Sequence, residues 1–217
     1  MYLSRLILNP RTRRVQRELA EPYEMHRSLM KAFPPDLAPG EERVLFRVDE
    51  HPHLGLTLLV QSWDVPDWSW LAEEGARGYL LPVAEPNPAV KPFDLHPVAG
   101  QTLAFRLRAN PTVKTKREGR PVRNGLFDET TQQAWLVRKA ETGGFRILSV
   151  NSVAEGKIGG GMKHDDTTHK LTLLAVRFDG VLQVTDPERL IAAVETGIGS
   201  AKGFGFGLLS LAPAPSG

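Results

Sequence analysis

The feature that most constrains this chain is a segment that occurs twice. Leu3-Ser-Arg-Leu-Ile-Leu-Asn9-Pro10 returns in the second half as Leu103-Ala-Phe-Arg-Leu-Arg-Ala-Asn110-Pro111. Both copies read as β-strands, both stop at Asn-Pro, and both are followed closely by basic residues. A chain of 217 residues holds one large domain or two small ones of about 100 residues each. A repeated opening strand favours two halves of similar design. The expected divide is the proline-rich stretch from Pro82 to Pro97.

Hydrophobic periodicity and turn residues give each half the same order. In the first, the strand is followed by helical sequence to about Phe33, strands at 43–49 and 55–63, a short helix from Asp67 and a strand near 78–83. In the second, a strand at 101–109 leads to a long basic loop, a helix at 129–141 and strands at 145–153 and 170–178. Asp179-Gly180 reads as a hairpin turn into 181–185. Asp186-Pro187 reads as an N-cap and first helical residue, and a closing strand is expected at 204–211. Each half is then β-α-β-β-α-β. The expected fold is α+β, two tandem ferredoxin-like (RRM-like) domains at 1–90 and 98–217.

Composition narrows the chemistry. There is no cysteine, which excludes disulfides, thiolate zinc sites and a thiol nucleophile and fits a reducing cytoplasm. No apolar run approaches the roughly 18–20 residues of a membrane span, and the first residues read as a strand, not a signal peptide. The net charge of +2 is unevenly placed. Residues 5–31 carry Arg5, Arg11, Arg13, Arg14, Arg17, Arg27 and Lys31 against Glu18, Glu21 and Glu24. Residues 106–123 carry Arg106, Arg108, Lys114, Lys116, Arg117, Arg120 and Arg123 against Glu118 alone. The remainder is net acidic. Two basic islands on an acidic body point to a polyanion held at a defined surface.

Within the first island, Pro22-Tyr23-Glu24-Met25-His26-Arg27 can open a helix that Pro34-Pro35 stops. At about 100° per residue, Tyr23, His26, Arg27, Met30 and Lys31 share one face, and Met25, Leu29 and Ala32 share the other. The apolar face buries the helix. The polar face offers a phenol, an imidazole, a guanidinium and an ammonium, a set suited to binding and cleaving a phosphodiester without a metal. From periodicity alone the favoured reading of His26 is an ordinary surface histidine, since charged helix faces are usually just solvated; the surrounding charge and the rest of the chain shift the balance.

Residues 197–207, Gly-Ile-Gly-Ser-Ala-Lys-Gly-Phe-Gly-Phe-Gly, fit neither a Walker loop nor a dinucleotide fingerprint. Lys202-Gly203-Phe204-Gly205-Phe206 matches the start of an RNA-recognition pattern but in the wrong strand. Two readings stand: a backbone open to RNA, or a tight turn packed closely on its neighbour. His51-Pro52-His53 reads as a solvated turn. His164-Asp165-Asp166 and His169 lie in a glycine-rich stretch, where a metal role is the weaker reading. Trp63, Trp68, Trp70 and Trp135 read as core or interface anchors. No cofactor or metal is expected.

Taken together, these segments resemble the repeat-associated mysterious protein superfamily, and within it the CasE-type CRISPR-associated endoribonucleases of the type I-E Cascade complex. The residues that carry the resemblance are Asn9-Pro10, Pro22 to Arg27 with Lys31, Pro66-Asp67-Trp68, Phe105 to Pro111, Gly144-Phe145-Arg146, Asp186-Pro187-Glu188-Arg189, and the glycine stretch into Gly207-Leu208-Leu209-Ser210. The resemblance implies metal-independent cleavage of the repeat hairpin in precursor CRISPR RNA. It also implies retained CRISPR RNA and a Cascade effector complex as partners, and no membrane. It places the chemistry on His26 and Tyr23 and leaves open which is acid and which is base. The candidate RNA contacts are Arg13, Arg14, Arg27 and Lys31, then Arg108, Lys114, Lys116 and Arg117, with Lys157 and Lys163 from the 154–167 stretch and Lys202 from the glycine loop. A non-catalytic RNA-binding or scaffold subunit of a ribonucleoprotein is the alternative.

Overall fold

The computed structural model describes residues 1–38, 41–117, 119–164 and 167–214; at 117, 120, 121, 160–164 and 167–171 it describes the backbone only. The chain divides into two compact units. The first takes in Met1–Asp94, Gly159–Leu171 and Gly203–Gly205; the second takes in Leu95–Ile158, Thr172–Lys202 and Phe206–Gly217.

The first unit opens with β1 (Tyr2–Ile7), then α1 (Arg13–Ala20) and α2 (Pro22–Leu29), which ends in a 3₁₀ turn at Met30–Ala32. β2 (Leu45–His51) and β3 (Gly55–Ser62) follow, then 3₁₀ turns at Trp68–Ala72 and Glu74–Ala76, and β4 (Ala89–Pro92). The sheet order is β2-β3-β1-β4, all antiparallel, the order of a ferredoxin-like unit. The core gathers Leu6, Leu8, Met25, Leu29, Phe46, Leu58, Val60, Trp68, Trp70 and Tyr79.

One expected strand does not form. Residues 78–83 give only a bridge, Leu8 with Leu80, and the edge strand is β4. Pro82 has no N–H to continue the ladder. Asn87 fills the gap: its Oδ1 accepts from the Ile7 N–H, and its Nδ2 donates to the carbonyls of Ile7 and Leu81.

The second unit opens with β5 (Thr102–Ala109). The basic stretch beyond it is not a loop but a ribbon, β6 (Thr112–Arg117) against β7 (Arg120–Gly125), paired from Thr112↔Gly125 to Arg117↔Arg120. Val113, Thr115 and Val122 supply the β-forming side chains between the cations. α3 (Glu129–Thr142) starts at Asp128, whose carboxylate accepts from the Thr131 N–H. β8 (Phe145–His164) and β9 (Thr167–Val184) are far longer than expected. Asp179-Gly180 makes no turn; β9 runs straight through it, paired with β5 from Gln183 to Val176. Gly180 is there for close approach, since a Cβ would sit 2.1 Å from the Ser149 carbonyl oxygen. α4 (Pro187–Thr196) is capped by Asp186 as expected, and β10 spans Leu209–Pro213, starting later than 204 because Lys202–Phe204 form a 3₁₀ turn. The order is β10-β5-β9-β8, the same ferredoxin-like order again.

Candidate active site

α2 carries the candidate site. Pro22 occupies its first turn, and Met25, Leu29 and Ala32 are buried, each at most 2% exposed. Burying Leu29 and Met25 stabilises the packed helix by roughly 1.5–3 kcal/mol each. This fixes the rotation of the helix and so the direction of His26.

The His26 ring lies nearly parallel to Phe46 of β2, with centroids 6.3 Å apart at 11°, and 6.1 Å from the ring of Tyr23. Tyr23 in turn stacks on Phe204 at 5.4 Å. The glycine segment completes the surround. A Cβ on Gly203 would meet His26 Cδ2 at 3.4 Å, and Gly205, with φ +79°, would meet Phe46 at 3.1 Å. The imidazole therefore rests against bare backbone. Of the two readings of the glycine loop, close packing is what the structure shows at these two positions.

Burial lowers the His26 pKa from its ordinary 6.5, so the ring is neutral at pH 7. Its Nδ1 is buried and has no hydrogen-bond partner among the described residues. Such orphans are rare in native proteins, and a catalytic role is one of the physical reasons for which they persist.

The cationic half of the helix face turns elsewhere. Arg27 and Lys31 join Arg13, Arg14 and Arg17 of α1, with Glu24, Ser28 and Gly75, around an open cleft of about 580 Å³. Arg13, Arg17, Arg27 and Lys31 are exposed. Arg27 pairs with Glu24 at 3.0 Å, an exposed pair that a phosphate can displace at little cost. Lys31 Nζ stands 5.6 Å over the Trp70 ring.

Arg14 is committed to the protein. Its guanidinium donates to Glu18, to the Gly75 carbonyl and to the Ser28 hydroxyl, and lies over Trp70 and Tyr79. Glu18, 1% exposed, also accepts from the Ser28 and Tyr79 hydroxyls, each at 2.6 Å. Desolvation and the Glu18 charge raise the Tyr79 phenol far above its ordinary pKa, so it stays a donor. Sequence reasoning missed this network, because nothing in the local pattern marks Glu18 as buried. It also missed Arg17 as a cleft residue, which the i, i+4 spacing from Arg13 would have found.

Among the candidates of the second unit, Lys114 and Lys116 are exposed on β6. Arg108 is paired with Glu155 at 2.6 Å and lies over Phe206. Lys157 Nζ stands 5.4 Å from the Phe127 ring. Lys202 belongs to the 3₁₀ turn before Gly205. The side chains of Arg117 and Lys163 lie outside the described residues, as do those of His164, Asp165, Asp166 and His169. His51 closes the β2–β3 turn, its Nδ1 accepting from the N–H groups of His53 and Leu54. Trp68, Trp70 and Trp135 are buried anchors. Among the described residues no three His, Asp or Glu side chains gather as a metal site, and no helix is long and apolar enough to cross a membrane.

Two sheets in ferredoxin-like order define the class, an α+β protein of two ferredoxin-like units, and the first unit carries a shielded histidine on a helix that also bears cations. A family model described as CRISPR associated protein matches residues 1–213, and the chain belongs to that family. It is 41% identical over 224 residues to the CRISPR-associated endoribonuclease Cse3 of Thermus thermophilus, covering 98% of this chain and 100% of that protein. It is 33% identical over 226 residues to the CRISPR system Cascade subunit CasE of Escherichia coli, again covering 98% and 100%. The solved structure of Cse3 bound to a 19 nt RNA matches with a TM-score of 0.82 at 39% identity, over 98% of this chain and 100% of that one.

Proposed function

We propose that this protein is a metal-independent endoribonuclease that binds and cuts the repeat stem-loop of precursor CRISPR RNA, acting as a subunit of a Cascade complex in the cytoplasm. The family and the endoribonuclease relatives support the activity. The observation that carries the site is His26: neutral through burial, with an unpartnered Nδ1, beside a tyrosine.

In the reaction the 2′-hydroxyl upstream of the scissile phosphate loses its proton and its oxygen bonds to phosphorus. The bond from phosphorus to the 5′-oxygen breaks, and that oxygen takes up a proton. The products are a 2′,3′-cyclic phosphate and a 5′-hydroxyl. A neutral imidazole is the form that accepts a proton, so we assign His26 to the first transfer and Tyr23 to positioning the nucleophile or assisting the second. Arg27 and Lys31, which line the cleft on the α1 side of the helix, are assigned to RNA phosphates beside the reacting one. Residues 1–90 act as the domain that carries the catalytic helix. Residues 98–217 act as the domain that holds RNA through Lys114, Lys116 and the other cations of its ribbon.

The test is a substrate with one 2′-deoxy sugar just upstream of the scissile phosphate. It is expected to bind normally and stay intact, while the all-ribose RNA is cut equally in EDTA and in magnesium. Cleavage of the deoxy substrate together with inhibition by EDTA would transfer the chemistry to a metal-activated water.

A further inference from the structure

Among the described residues, every phenylalanine, tyrosine and tryptophan is buried or half-buried except one. Phe127, between β7 and α3, is 66% exposed. An exposed aromatic ring is unremarkable alone, but this one is held in place. Its edge lies against Gly125, where even a Cβ would meet the ring at an ordinary contact distance of 3.5 Å. Lys157 Nζ stands 5.4 Å from the ring centroid, within cation–π range. The ribbon beside it is cationic: Gly125 pairs with Thr112, and Arg123 pairs with Lys114. At about 3.3 Å per residue, Lys114 lies roughly 7 Å and Lys116 roughly 13 Å up the strand from the Gly125–Thr112 pair.

A ring oriented by a cation, at the foot of a row of cations with phosphate-like spacing, suits a nucleic acid better than an apolar protein surface. The cations meet phosphates, and the ring meets the face of a base. We propose that Phe127 is a stacking platform for an unpaired nucleotide of the RNA, one outside the hairpin stem, whose bases are already stacked and paired. This rests on the RNA-binding function above and adds to it a contact with single-stranded sequence. Stacking on an aromatic face does not depend on base identity, so the platform sets position along the strand and not sequence.

The test compares wild type, Phe127→Ala and Phe127→Tyr on two RNAs that share one stem and loop. One carries a single-stranded flank on each side and the other is blunt. Wild type is expected to bind the flanked RNA more tightly. Phe127→Ala is expected to lose about tenfold in affinity for the flanked RNA and nothing for the blunt one, and Phe127→Tyr to restore it. A 2-aminopurine scanned through the flanks should be quenched at one position by wild type and at none by Phe127→Ala. Equal affinities of wild type and Phe127→Ala for the flanked RNA, with cleavage intact, would overturn the platform and leave the nuclease standing. Failure of wild type to bind either RNA would overturn the nuclease reading itself. Because Phe127 is exposed, its loss does not threaten folding.

Discussion

The two copies of the Asn-Pro segment end their strands by different means. In the first unit Asn9 works locally: its Oδ1 accepts from the Arg11 N–H, and its carbonyl accepts from both the N–H and the hydroxyl of Thr12. The chain turns there into α1 and the basic cleft. In the second unit Asn110 is buried and its Oδ1 accepts from the N–H of Leu174 on β9, far along the sequence. There the chain leaves the sheet as the β6–β7 ribbon. Strand order is shared, but cations are deployed differently. The first unit folds arginine into its interior, with Arg14 on Glu18, and lines a cleft with the rest. The second projects lysines on an exposed ribbon. The same scaffold thus supports a shaped site in one unit and an open electrostatic surface in the other.

Four experiments press on that contrast. The largest effect is expected at the shaped site: His26→Ala should lower single-turnover cleavage by roughly 10²–10⁴ while RNA affinity stays within a few fold. Cleavage at the wild-type rate would remove the chemistry from α2.

Next comes the interior charge. Glu18→Ala leaves Arg14, Ser28 and the Tyr79 hydroxyl without their shared acceptor and should cost about 3 kcal/mol in urea unfolding. Arg189→Ala, in the second unit, breaks a pair with Asp186 whose side chains are 66% and 42% exposed, and should cost under about 1 kcal/mol. Similar losses for both would erase the distinction.

A smaller effect concerns the open surface. Replacing Lys114 and Lys116 together by alanine should make the log–log salt dependence of RNA binding shallower by about one to two, without slowing cleavage of bound RNA. An unchanged slope would place the RNA elsewhere.

The smallest is a pH effect. The folded pKa of His26 lies below 6.5, so the unfolded chain binds more protons in the window under that value. The resulting stability is present above 6.5 and is lost as pH falls through the folded pKa. His26→Gln should flatten that part of the stability–pH curve; identical curves for the two proteins would show that the ring is not shielded.

Much of this was legible because it is local. Asp128 and Asp186 announce their helices by type and position, Pro22 opens α2, and the apolar spacing of Met25, Leu29 and Ala32 fixes its buried side. The errors came where distant segments decide. Gly180 looks like a turn residue until the Ser149 carbonyl is found where its side chain would be. The 78–83 stretch loses its pairing to Asn87 and β4. The polar face of α2 reads as one surface in sequence. In the fold, Phe46, Phe204 and Gly203 take His26 and Tyr23, and α1 takes Arg27 and Lys31.

The wall against the His26 ring has a temporal consequence. His26 emerges early in synthesis, but Gly203 and Phe204, which press against His26 and Tyr23, come near the opposite end of the sequence. Chains are made from the N-terminus, and contacts between remote segments form late. The ribosome-bound chain therefore holds its histidine without the enclosure that shields and aligns it. An unfinished polypeptide carries His26 and Tyr23 but not the wall against them, which forms only once Gly203 and Phe204 have been made.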